Sequence, residues 1–199
     1  MGLDAKKTTG TTYNPVWLKI LEERIGGGYI ATGRVPSATK ELKAGTLLKE
    51  STATAGIFHF VKIGKSVKTQ AAATAIAISN KHDFAVGDFA ILHGKTTAAT
   101  INRVSNASVN TSVIATARAL GTLATATYLD EANAAGATPL KLDPGSALKH
   151  NIRVRNDDLS TVNNVFAGVV YRGALNESIL PYYVTSRAKT KLTARIRFE

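Results

Sequence analysis

The sequence predicts a mainly β protein, in which short antiparallel strands form a barrel-like or sandwich-like body. From residue 32 onward, short segments that alternate apolar and polar residues lie between turn signals such as Gly-Asp, Gly-Lys and Asp-Pro-Gly. Ala and Thr are concentrated in TQAAATAIAIS and SVIATARALGTLATATYL, where small and β-branched side chains suit closely packed extended backbone. Most of the chain is therefore expected in strands.

One short helix is expected near the amino terminus, within NPVWLKILEERIGGG. Asn14 is a suitable cap and Pro15 suits the first helical position. The apolar residues that follow have helical spacing before Gly26 ends the segment, and they are Trp17, Ile20, Leu21 and Ile25. The preceding run, KKTTGTTYN, is too polar to pack alone, so we expect an extended arm that orders by pairing with an exposed sheet edge.

Composition limits the classes of protein that remain. The chain has 199 residues, of which 44% are hydrophobic, enough for one substantial domain or two small ones. It has no cysteine, which excludes disulfides, thiolate metal sites and a thiol nucleophile. No segment resembles a signal peptide, and no apolar run approaches the roughly 20 residues that span a bilayer. We therefore expect a soluble protein that is made in the cytoplasm and has no membrane partner.

The net charge of +11 makes nucleic acid the first partner to consider. The basic residues are spread along the chain, and in KLTARIRF they alternate with apolar ones, which predicts a strand with a solvated outer face of Lys191, Arg195 and Arg197. Its inner face would be Leu192, Ala194, Ile196 and Phe198. Aromatic residues, which stack on bases, make up only 7% of the chain. A basic nucleic-acid-binding β-barrel is the alternative function, and it requires convergence on one groove of Lys62, Lys65, Lys68, Lys95 and Arg103.

Motifs for catalysis and cofactor binding are incomplete. GGGYIA, residues 26–31, follows a predicted helix instead of a strand, so it does not fit a dinucleotide loop. Gly64-Lys65-Ser66 and Gly94-Lys95-Thr96 lack the earlier glycine of a phosphate-binding loop and are predicted as hairpin turns. The histidines lack metal-ligand spacing, and no serine lies in a Gly-x-Ser-x-Gly elbow. We predict no catalytic residue, metal or cofactor, and a small hydrolase is a third, weaker alternative.

A resemblance covers about a quarter of the chain. The segment from Phe84 to Asn133 resembles a small β-module of tailed-bacteriophage capsid auxiliary proteins, which include head decoration (cement) and head-fibre base proteins. The matching pieces are Val86-Gly87-Asp88, Ile101 to Val104, Ala119-Leu120-Gly121 and Tyr128 to Glu131. Two flanking segments are also similar to that group, LKAGTLLKE at 42–50 and NNVFAGVVYRGALN at 163–176.

The resemblance implies a structural virion protein that is not an enzyme. Such a protein binds the major capsid protein on the outside of an icosahedral head and strengthens capsomer junctions, often as a trimer and in some cases with head fibres. We accordingly expect an arm and helix over 1–31, a main β domain over 32–81 and 134–199, and an inserted β-module over 82–133. The residues expected to contact the capsid are Lys6, Lys7, Tyr13, Trp17, Ile20 and Leu21. A tight turn is expected at Val86, Gly87 and Asp88.

Overall fold

The structure is a computed structural model that describes residues 16–32, 35, 39–71, 74–132, 135–137, 144–155 and 164–199. The expected contact residues Lys6, Lys7 and Tyr13 lie outside this part of the chain. The predicted mainly β fold is confirmed. The strands are β1 (Trp17–Glu23), β2 (Gly28–Ile30), β3 (Glu41–Leu42), β4 (Leu47–Glu50), β5 (Ile57–Phe60), β6 (Ile63–Lys65), β7 (Ala75–Ser79), β8 (Phe89–Leu92), β9 (Thr97–Ser108), β10 (Thr111–Thr116), β11 (Tyr128–Glu131), β12 (Gly136–Ala137), β13 (Ser146–Leu148), β14 (Ile152–Arg153), β15 (Val165–Ala167), β16 (Val169–Leu175) and β17 (Ile196–Phe198). A 3-10 helix spans Glu177–Ile179, and the helix α1 spans Ser186–Leu192.

The strands form two large sheets and one small one. The first sheet has the order β1-β16-β13-β4-β5-β2-β15, with β17 also beside β16. The second has the order β6-β11-β8-β9-β10-β7, with β12 beside β9, and β3 pairs separately with β14. Most pairings are antiparallel, and the parallel ones join β16 to β17 and β2 to β5.

The helix predicted over residues 14–25 is wrong. Residues Trp17–Glu23 form the edge strand β1, which pairs antiparallel with β16. The close approach of β1 to β16 depends on Gly173, because a Cβ at that residue would lie 2.5 Å from the Lys19 carbonyl oxygen. Trp17 packs on the same glycine and donates a hydrogen bond from Nε1 to the Leu148 carbonyl, 3.0 Å away. These long-range partners override the helical spacing of the apolar residues.

The single strand predicted for KLTARIRF is also wrong in its first part. Helix α1 continues to Leu192, and β17 begins only at Ile196. The Thr185 side chain caps α1 by accepting a hydrogen bond from the Ala188 amide, 3.2 Å away. Leu192 and Ile196 are buried as predicted, but Ala194 is exposed. The helix thus covers the end of the first sheet.

The predicted boundary of the inserted module at residue 82 is wrong. The sheet that contains residues 89–131 also includes β6 and β7, which come from residues 63–79. Its apolar core has a separate set of buried side chains, among them Ile76, Ile101, Ile114 and Leu129. Ile63 of β6 packs instead with Leu175, Leu192 and Ile196, so the two large sheets meet beneath α1.

The tight turn at Val86-Gly87-Asp88 is confirmed. The Asp88 amide donates to the Ala85 carbonyl over 3.2 Å, and Gly87 has φ +90°. A positive φ at this third position of the turn suits glycine, which has no Cβ. Two hairpin turns were predicted at Gly-Lys pairs. The one at Gly94-Lys95 is confirmed, since it joins β8 to β9, but the one at Gly64-Lys65 is wrong, since these residues lie inside β6.

Replacing Gly87 by Ala is expected to lower the free energy of unfolding by about 1 kcal/mol. The cost comes from backbone conformation, since a Cβ at residue 87 meets no atom within 4 Å. Gly145→Ala is the matched control, because its Cβ would make only an ordinary contact, 3.8 Å from Arg195 Nη1. Urea denaturation of both variants measures the difference. Equal stability of the two variants would contradict the strained-turn assignment.

Candidate functional site

The strand β1 presents apolar side chains at the edge of the first sheet. Among the described strands it pairs only with β16, so the main-chain groups of its other edge face outward. Leu18 is 46% exposed and Leu21 60% exposed, while Ile20 is 37% exposed. The sequence therefore identified Ile20 and Leu21 as available for contact, although it placed them on a helix. Trp17, the third described residue expected to contact the capsid, is half-buried and packs against the chain's own sheet.

Two concave surfaces border this edge. One, of about 760 Å³, is lined by Trp17 and Ile20 together with Lys43 and Lys149. The other, of about 470 Å³, is lined by Lys19, Leu21, Arg172, Arg195, Arg197 and Glu199. The β1 edge thus carries exposed apolar side chains together with the exposed Lys19, Glu22 and Glu23, and it separates two depressions with basic side chains.

The turn at residues 85–88 rests on a buried ion pair that the sequence did not reveal. Lys62 Nζ donates to Asp88 Oδ2 over 2.6 Å, and the side chain of Lys62 is fully buried. The same carboxylate oxygen accepts a hydrogen bond from the Ala85 amide over 2.7 Å. The ammonium also lies 5.2 Å from the centre of the Phe60 ring. Asp88 therefore fixes both the turn and the buried lysine.

The buried Lys62 also removes one member of the groove required by the nucleic-acid alternative. Lys65 lies over the rings of Tyr128 and Tyr183, at 5.7 and 5.2 Å from their centres. Lys68 and Arg103 are exposed on different strands or loops of the second sheet. The five basic residues singled out in the sequence do not all face solvent, so they do not form one basic groove.

A second polar cluster lies beside this pair. Burial raises the pKa of Asp83, against the opposing effect of a hydrogen bond from Tyr182 and the charge of Lys62. Burial, and then the Asp83 carboxyl, raises the pKa of Tyr182 above its usual value. Burial together with the charge of Lys62 lowers the pKa of His82 to about 4. The cluster therefore favours a neutral imidazole in the folded protein.

Replacing His82 by Gln is expected to reduce the acid sensitivity of the fold. Because the pKa of His82 in the folded protein, about 4, lies below the usual histidine value of 6.5, the unfolded chain binds this proton first as the pH falls. Stability contributed by the neutral imidazole is present above pH 6.5 and is lost toward pH 4, by about 3 kcal/mol in total. The raised pKa of Asp83 changes stability in the opposite direction as the pH falls. The contribution of His82 is therefore the difference in acid sensitivity between the unmodified protein and His82→Gln.

The measurement is urea denaturation of the unmodified protein and His82→Gln at pH 7.5 and pH 4.5. His150→Gln is the control, since His150 is exposed. If the unmodified protein and His82→Gln lose the same stability between the two pH values, His82 does not carry this proton linkage.

A Ser-His-Asp arrangement joins the second sheet to α1. His93 Nδ1 lies 2.7 Å from Asp130 Oδ2, and His93 Nε2 lies 3.3 Å from Ser186 Oγ. Burial raises the pKa of Asp130, and the hydrogen bond with His93 opposes that shift. The order of contacts matches that of a serine nucleophile relay. Sequence reasoning missed it because the three residues lie far apart in the chain.

Ser186 of this arrangement is exposed, and the cavity of about 10 Å³ that Asp130 lines is not lined by His93 or Ser186. No group of three or more His, Asp or Glu side chains in the described part of the chain is arranged to hold a metal ion. No helix among the described residues is long and apolar enough to cross a membrane.

Comparison with family models, with curated proteins and with solved structures found no match to this chain.

Proposed function

We propose that this chain is a structural virion protein, an auxiliary decoration or cement protein on the outside of a tailed-phage icosahedral capsid. The observation that carries the proposal is the set of exposed apolar side chains on the edge strand β1. Proteins commonly protect open edges with charges, bulges or covering segments, because an open edge pairs readily with another sheet. This edge carries Lys19, Glu22 and Glu23 and has an irregular register with β16, but Leu18, Ile20 and Leu21 are also exposed on it. Exposed apolar side chains are expected of a surface that another protein covers.

The proposed partner is the major capsid protein, and self-association as a trimer or attachment of head fibres is compatible with the resemblance. The role requires no cofactor and no catalytic group. The body is suited to it because the first sheet, which carries the exposed edge, packs against α1 and against Ile63 of the second sheet. The protein would be made in the host cytoplasm and then reside on the capsid exterior.

The test is to examine purified particles from the source of the sequence. We expect the chain in amounts comparable with the capsid lattice by quantitative mass spectrometry, and on the outer surface by cryo-electron microscopy. Particles that lack it should release their genome at a lower temperature. Absence of the chain from particles, or a location inside the head, would overturn the proposal.

A further inference from the structure

Basic side chains form a row across three strands beside the β1 edge. In the sheet register, Lys19 is opposite Ala174, and Ala174 is opposite Arg197. The small Ala174 therefore lies between two cations in one row. Arg172 and Arg195 line the same depression of about 470 Å³. We call the surface of Lys19, Leu21, Arg172, Ala174, Arg195 and Arg197 the basic face.

Little negative charge balances the basic face. Glu199 lines it, and Glu22 approaches Arg172 at a loose 3.9 Å with both side chains more than half exposed. Within the part of the chain that the structure describes, no ion pair involves Lys19 or Arg197. Lys19 and Arg197 are two strands apart, and together with Arg172 and Arg195 they give this surface a positive potential that attracts anionic groups. The basic face is therefore suited to an acidic ligand.

The chemistry around the basic face indicates the form of that ligand. Leu21 is 60% exposed within it, and the outward edge of β1 offers main-chain hydrogen-bonding groups. An extended peptide can use that edge, place its apolar side chains on the side of β1 that carries Ile20, and direct its carboxylates to the other side, toward Lys19 and Arg172. Nucleic acid is a poorer fit, because no aromatic side chain among the described residues lines this depression to stack on bases.

We propose that the basic face and the β1 edge bind an extended acidic segment of a partner protein, which adds to the first sheet as a further strand. This inference rests on the proposed function in one respect only, which is that the partner is the capsid protein. Side chains at alternate positions of the added segment would point to the same side, so a segment that alternates acidic and apolar residues would bind best.

The experiment uses the full chain and two synthetic peptides that differ only in charge. One has the sequence Thr-Val-Glu-Val-Glu-Val-Glu-Thr, and the other has Lys in place of each Glu. Isotope-labelled protein is titrated with each peptide, and with a single-stranded DNA oligonucleotide, while amide shifts are followed by NMR. We expect saturable shifts with the acidic peptide, centred on residues 18–22, 172–174 and 195–197, and at least about tenfold weaker binding of the basic peptide.

The charge-reversal variant Lys19→Glu/Arg197→Glu should weaken binding of the acidic peptide about tenfold or more. Both residues are exposed, so the fold should tolerate the change. The control is Lys68→Glu/Arg103→Glu, which makes the same change in net charge at exposed positions of the second sheet. Binding by the control should be within about twofold of the unmodified protein, and the difference should fade at high salt.

Several outcomes would overturn the inference: no saturable peptide binding, equal loss in the two variants, or tighter binding of the oligonucleotide at the same residues. These results are separable from the test of the proposed function. A chain found on particles that ignores the acidic peptide refutes this inference alone. A chain that binds the peptide through the basic face but is absent from particles refutes the capsid role alone.

Discussion

Replacing Asp88 by Ala is expected to lower the free energy of unfolding by about 3 kcal/mol. The substitution removes one partner of a fully buried ammonium, since Lys62 Nζ lies 2.6 Å from Asp88 Oδ2. It also removes the acceptor of the Ala85 amide, which helps to close the turn before β8. Breaking one side of a buried pair leaves a poorly compensated charge, and this costs more than the intact pair contributes to stability.

Two further variants separate the charge from the turn. Lys62→Met combined with Asp88→Ala should recover part of the loss, because the buried charge is gone while the unsatisfied Ala85 amide remains. Asp88→Asn retains an oxygen acceptor and should fall between the unmodified protein and Asp88→Ala. Urea denaturation of the four proteins measures these differences. A loss below about 1 kcal/mol for Asp88→Ala would show that the pair does not hold the fold together.

The turn at Gly87 and the mainly β character were predictable from sequence because both depend on local chemistry. Val-Gly-Asp between apolar runs indicates a turn that needs positive φ, and Gly87 adopts it at +90°. Alternating segments such as Thr111–Thr116 bury every second residue, which is the pattern that the sequence displays.

The interpretation of β1 failed because its decisive partner is distant in sequence. Trp17, Ile20 and Leu21 have helical spacing. Nothing in the neighbouring sequence indicates that β1 packs closely against Gly173, which is about 150 residues away in the chain. The capping residue Thr185 was a visible signal for α1, but the alternation in KLTARIRF favoured a strand over that whole segment. Local pattern and tertiary structure therefore disagree at β1 and at the end of α1.

The burial of Lys62 was hidden for a related reason. A lysine between apolar strands looks like a solvated position, since lysine is rarely buried unless paired. Its partner Asp88 is 26 residues away and was recognised only as a turn residue. The basic face was hidden in the same way, because Lys19, Arg172 and Arg197 come together only through the register of β1, β16 and β17.

Under the proposed capsid role, removing residues 1–13 is expected to leave a folded protein that binds capsid particles at least about tenfold more weakly. Lys6, Lys7 and the Thr- and Gly-rich residues around them offer almost no apolar area, so they contribute little to a core. The thermal unfolding midpoint should therefore stay within about 2 °C of that of the full chain. Binding should fall because an extended arm can donate a row of main-chain hydrogen bonds to a sheet edge of the capsid protein.

The measurement uses particles from which this protein has been removed. They are loaded with full-length or truncated protein, and occupancy is compared by gel and electron microscopy. Full-length Lys6→Glu/Lys7→Glu is the matched variant, and its defect should be large at low salt but fade at about 0.5 M salt, because screening weakens attraction between exposed charges. The deletion should remain defective at both salt concentrations, since it also removes main-chain pairing. Equal occupancy of the truncated and full-length proteins would refute the arm. Unfolding of the truncated chain would show instead that residues 1–13 belong to the folded body.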